Sequence, residues 1–130
     1  MGAVALGAIA FTASPAAAGT VVADPAGGSG TLDTRFRSAT TAHPLYITAH
    51  DSAADGHHVR VRVQSRTPGG TLTSHPFRKL TSGAGTSQTW TTSLSDDRGI
   101  LALRIQACIY EKDRRLGCDE SSWDYNPAYT

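Results

Sequence analysis

From residue 32 onward, apolar side chains recur at every second position, and no stretch carries the stripe of an amphipathic helix. In "HHVRVRVQSR", Val59, Val61 and Val63 share one face, and Arg60, Arg62, Gln64 and Arg66 share the other. In "ILALRIQACIYE", Leu101, Leu103, Ile105, Ala107 and Ile109 form one face. Ala102, Arg104, Gln106, Cys108 and Tyr110 form the other, as in a strand covered on both sides. This period predicts strands over 32–37, 44–50, 57–66, 77–81, 88–94, 100–111 and 122–126. Turn chemistry separates them at Asp55-Gly56, Pro68-Gly69-Gly70, Ser82 to Gly85 and Asp96 to Gly99. The expected fold is all-β, an antiparallel β-sandwich of about 6–8 strands over residues 32–130.

The pattern differs at the N-terminal end. Residues 4–13, "VALGAIAFTA", are uncharged and apolar but too short to span a bilayer. Ala16-Ala17-Ala18 follows in the small-residue pattern of signal-peptide cleavage. Residues 1–18 are therefore expected to be a signal peptide, shortened at its start because no Lys or Arg precedes Arg35. Residues 19–31, "GTVVADPAGGSGT", read as a flexible glycine-rich extension. Its β-prone centre, Val21-Val22, would pair with the sheet edge of a partner, or the segment is a disordered leader. No second apolar run follows, so stable membrane insertion is not expected.

The two cysteines, Cys108 and Cys118, fit a disulfide in an exported domain. Paired across antiparallel strands, they would clip a hairpin centred on Asp113, with residues 111–117 as its tip and the bond on the outer sheet face. A bridge closing an irregular loop is the alternative; without C-x-x-C spacing a redox role is not expected. Net charge is +1, from 12 basic and 11 acidic residues, which argues against nucleic acid as a partner.

The densest titratable stretch is "HDSAADGHHV". If the strands flanking it pair, His50 and His58 converge on the outer face and His57 points away. That is too few ligands for zinc, and the stretch is expected to be a hairpin turn with no metal or cofactor. G-x-S-x-G, H-E-x-x-H and phosphate-loop patterns are missing, and the acidic pairs Asp96-Asp97 and Asp119-Glu120 are consecutive. No catalytic residue is expected, and the chain reads as a non-enzyme. Three features suit binding instead. Arg60, Arg62 and Arg66, continued by Arg104, form a stripe for an acidic partner surface or simply a solvated face. Trp123 and Tyr125 in "SSWDYNPAYT" would serve an interface or stack on a sugar, unless Trp123 packs in the core. Arg114 and Arg115, on the clipped tip, would be the reactive element of an enzyme inhibitor. Trp90 shares parity with Leu94 and is assigned to the core.

Arginine exceeds lysine, with Lys79 and Lys112 the only lysines, and Ala, Gly and Thr abound, which resembles secreted proteins of GC-rich actinobacteria. With the export signal, the all-β pattern and the late "ACIYEKDRRLGC…W" element, the chain resembles small secreted actinobacterial β-sandwich proteins. Among them it looks most like the adaptor subunit of umbrella toxin particles. The resemblance implies a secreted, extracellular, non-enzymatic adaptor of an antibacterial toxin complex. Its implied partners are a lectin-like trypsin-fold subunit, engaged by an extended N-terminal segment that residues 19–31 would supply, and a repeat-containing toxin polypeptide. A secreted inhibitor and a carbohydrate-binding module are the competing readings.

Overall fold

The structure, a computed structural model, describes residues 18–130. Its strands are β1 (Ala18–Ala23), β2 (Gly28–Phe36), β3 (Thr41–Asp51), β4 (His58–Arg66), β5 (Leu72–Ser74), β6 (Arg78–Leu80), β7 (Ser87–Ser95), β8 (Ala102–Glu111), β9 (Arg114–Glu120) and β10 (Asp124–Tyr125). A short 3-10 turn (Pro127–Tyr129) follows. The strands form two antiparallel sheets, packed as a sandwich. Sheet A has the order β1-β2-β3-β7. Sheet B has the order β9-β8-β4-β5, with β10 also pairing β8 and β6 also pairing β4.

Alternation accounts for the core. Leu32, Leu45, Ile47 and Ala49 of sheet A face Val59, Val61, Val63, Leu103, Ile105 and Ala107 of sheet B, all buried. Each such aliphatic side chain removed from water contributes about 1.5–3 kcal/mol before conformational entropy is subtracted. Trp90 and Leu94 pack against this core, in agreement with their shared parity. The strands expected from 88–94 and 57–66 appear within a residue of those limits, whereas the three-residue β5 was not foreseen.

The glycine-rich segment 19–31 is not a flexible extension. It forms β1 and the start of β2, with Val21 opposite Leu32 and Ala23 opposite Gly30. Gly28 and Gly30 lie on the core face, where a Cβ at Gly28 would stand 2.6 Å from Val59 and one at Gly30 would stand 3.0 Å from Val61. The glycines let β2 approach sheet B closely, so a composition that suggested disorder is a packing requirement. The expected apolar run and cleavage pattern fall at residues 1–17, outside the described residues, apart from Ala18, which opens β1.

The expected hairpin between His50 and His58 is also corrected. β3 belongs to sheet A and β4 to sheet B, so residues 52–57 cross between sheets. Parity within each strand was right; the pairing was not, because period 2 cannot tell a hairpin from an arch.

The clipped hairpin holds, with Cys108 directly opposite Cys118 and their Cα atoms 4.0 Å apart. Its tip is shorter than residues 111–117. Arg114 pairs with Glu111, leaving a two-residue turn, Lys112-Asp113, with Lys112 at φ 54°. A bulge at Leu116, between Arg115 and Gly117, shifts the register and accounts for the difference.

Candidate binding face

The outer face of sheet B carries most of the residues singled out by the sequence. Antiparallel register sets them in rows. His58, Tyr110 and Arg115 form one row; Lys79, Arg60, Cys108 and Cys118 the next. Arg62, Gln106 and Glu120 form the third, and Ser74, Gln64 and Arg104 the fourth. Arg66 lies beyond them beside Ala102, with Tyr125 on the far side of Ala102. The face is a layer of arginines interleaved with aromatic rings rather than a solvated stripe.

The arginines of this face fall into two kinds. Arg60 is saturated. Its Nε donates to His58 Nε2 (2.9 Å), and its NH2 donates to Lys112 O (2.9 Å) and Asp113 Oδ1 (3.0 Å). Its guanidinium lies 3.9 Å from the centre of the Tyr110 ring, and only 12% of its side chain is exposed. It anchors the hairpin turn to the sheet. Asp113 in turn is held below the usual carboxylate range by its hydrogen bond to Arg60.

Among the described residues, Arg62, Arg104 and Arg115 are each tied by Nε alone. Arg62 Nε donates to Gln106 Oε1 (2.7 Å), and Arg104 Nε donates to Gln64 Oε1 (2.8 Å). These are directly opposed cross-strand pairs, Arg62 with Gln106 and Gln64 with Arg104. Arg115 Nε donates to the Tyr110 hydroxyl (3.2 Å). Aromatic rings support the planar groups: Arg62 lies 4.2 Å from the Phe77 centroid and Arg104 lies 4.4 Å from that of Trp123. Arg115 sits 5.7 Å from Phe77. Among the described residues, none of the three has a carboxylate within 4 Å. Burial, and then the neighbouring Arg115, lower the Arg62 pKa from its ordinary value, only partly opposed by Tyr110 and Glu120. Glu120, the nearest acid in the row, is held by Gln106 Nε2 at 2.8 Å. Fixed guanidinium forks with free terminal N–H groups are suited to carboxylates, which they bind bidentately.

Other candidates are placed differently. Arg66 is exposed at the end of β4, and Arg114 is 73% exposed and pairs with Glu111 at 2.9 Å. Trp123 does not enter the core; it is half-buried beneath Arg104. Tyr125 stays open, at 53% exposure. Val21 packs against the core and Val22 is exposed on β1. Phe77, which braces Arg62 and Arg115, was read only as the start of a strand; the signal available was an aromatic next to Pro76 where β6 begins.

The histidines do not assemble. His50 Nδ1 bonds Ser87 Oγ (2.7 Å) on sheet A, His58 accepts from Arg60 on sheet B, and His57 pairs with Asp55 (3.2 Å). His75 Nε2 bonds Ser65 Oγ (2.9 Å). Among the described residues, no carboxylate bonds the second ring nitrogen of His50 or His75, so neither Ser–His pair is completed as a triad would be. No cluster of three or more His, Cys, Asp or Glu disposed to hold a metal occurs among the described residues.

The chain matches no family model, no curated protein and no solved structure. Its free positive forks are concentrated on sheet B, although the whole chain carries only +1.

Proposed function

We propose that this chain is a non-enzymatic adaptor of a secreted protein assembly, and that the outer face of sheet B docks an acidic surface of a partner protein. The supporting observation is the set of Arg62, Arg104 and Arg115, each positioned through Nε and an aromatic ring, each with its terminal fork free. Holding an arginine side chain in one geometry before binding removes much of the entropy cost that docking carries. The resemblance to the adaptor subunit of umbrella toxin particles agrees with such a role. The implied docking element changes, because residues 19–31 are strands of the sandwich rather than a free arm.

Two observations weigh against the competing readings. The tip that an inhibitor would insert into an enzyme is a two-residue turn tied to the sheet by Arg60. The Trp123 ring that a sugar would stack on carries the Arg104 guanidinium.

The test is affinity capture from culture supernatant with the full chain and with an Arg62→Gln/Arg115→Gln variant. The reading expects a partner whose recovery falls about tenfold or more in the variant and falls with added salt. Equal recovery by both proteins, or no salt dependence, would refute it.

A further inference from the structure

Sheet A ends in an edge that lacks the usual protection. β7 reads SQTWTTSLS over Ser87–Ser95, nine residues without a charge or a proline. Among the described residues it pairs on one side only, with β3. The irregularity in that pair lies on β3, where Ala42 and Leu45 pair with Leu94 and Thr92, so β7 itself stays regular. Natural sheets blunt their edges with lysine, proline, bulges or short strands, and β7 has none of these.

The orientation of its free groups follows from its two ends. The Asp51 amide donates to Thr86 O (3.1 Å), and the Asp96 amide donates to Thr40 O (3.0 Å). Even-numbered residues therefore direct their backbone groups to β3, and Ser87, Thr89, Thr91, Ser93 and Ser95 direct theirs outward. Only another extended backbone offers donors and acceptors at that repeat.

Beneath this edge the two sheets do not meet. A cleft of about 270 Å³ opens there, lined by Leu45, Ile47, Val63, Phe77, Arg78 and Leu94 among others. A strand added outside β7 would place alternate side chains over the cleft, whose floor is apolar. Arg78 stands opposite Val61 on the inward face, and no carboxylate lies within 4 Å of it among the described residues. A second copy pairing through its own β7 would leave the cleft unfilled, because the inward side chains of that strand, Trp90 and Leu94, already pack against its own core.

We propose that β7 and the cleft below it accept an extended strand of a partner protein, apolar at alternate positions and carrying a carboxylate that reaches Arg78. This is β-augmentation, in which backbone bonds supply affinity and the cleft supplies selectivity. It is a second docking element, on a different sheet from the arginine face, and stands whether or not that face binds.

The probe is a blocked nine-residue peptide alternating Thr and Val with Asp at its centre, titrated into the full chain. Amide hydrogen exchange at Thr89, Thr91 and Ser93 should slow on binding. Thr91→Pro removes an outward amide that sheet A does not use, so the fold should persist while binding weakens about tenfold, the loss of one hydrogen bond left unmade. Thr92→Phe, which fills the cleft, should weaken binding as well and covers the case in which the proline variant fails to fold. Replacing the peptide Asp by Asn should lower affinity for the native chain and leave affinity for Arg78→Gln unchanged. Unaltered exchange at saturating peptide, or equal binding by the Thr91→Pro and Thr92→Phe variants, would overturn the proposal. So would protected β7 amides and a dimer in sedimentation without peptide, since a second copy would then occupy the edge.

Discussion

The outer faces of the two sheets are built from the same alternation and differ in almost everything else. Sheet A presents small hydroxyls: Thr48 Oγ1 meets Thr89 Oγ1 at 2.8 Å, and His50 meets Ser87 at 2.7 Å. Sheet B presents arginines threaded between Phe77, Tyr110 and Trp123. A threonine ladder satisfies itself within the sheet and asks little of a neighbour. Guanidinium groups fixed by one nitrogen each leave strong donors unmatched, and the proposed recognition of charge by sheet B rests on that imbalance.

If sheet B depends on its clipped hairpin, breaking the clip should have the largest effect. A Cys108→Ser/Cys118→Ser variant is expected to lose about 3 kcal/mol, on the chain-entropy account of a disulfide, read from the urea midpoint. An unchanged midpoint would show that the hairpin stands without it. Next comes Arg60→Ala, which removes the anchor of the Lys112-Asp113 turn and uncovers Tyr110. A loss of about 1–2 kcal/mol is expected from the polar bonds and the packing on Tyr110 removed together. The same change at Arg62 should cost less stability and more binding, because Arg62 supports a fork rather than a turn.

A smaller effect depends on pH. Burial, followed by Arg60 and Lys79, holds His58 below the ordinary imidazole value, and burial does the same to His75. The unfolded chain, near the ordinary value of about 6.5, then takes up protons first as pH falls. Stability fully present above that value is lost as pH drops through the lower folded values. The urea midpoint should therefore decline below about pH 6.5, and His58→Gln should make the decline shallower. Smallest of all is Thr48→Ala on sheet A, expected to cost no more than about 1 kcal/mol and to leave partner capture intact.

How much of this was legible in the sequence depends on which side chains had a period to report. Val59, Val61 and Val63 inward and Arg60 and Arg62 outward could be read directly, because a half-buried strand repeats every two residues. Gly28 and Gly30 occupy core positions with no side chain to register in a hydrophobic pattern, so β1 and the first residues of β2 escape a reading that finds only the later part, 32–37. The signal left was parity: both glycines fall in step with Leu32. The site was half visible. Arginines and aromatics were named, but which guanidinium is spent on Asp113 and which is free depends on a bulge at Leu116 and on Phe77 arriving from another segment. Long-range register decides that, and periodicity does not contain it.

The central claim is that Arg60 NH2 is held by the Lys112-Asp113 turn, whereas the terminal nitrogens of Arg62 and Arg115 have no partner among the described residues. Nitrogen-detected NMR of the arginine side chains, with a short poly-glutamate peptide added stepwise, measures this directly. The account predicts that the terminal guanidinium signals of Arg62 and Arg115 shift and saturate together, while those of Arg60 stay in place. Shifts at Arg60 equal to those at Arg62, or no shift at any of the three, would contradict it.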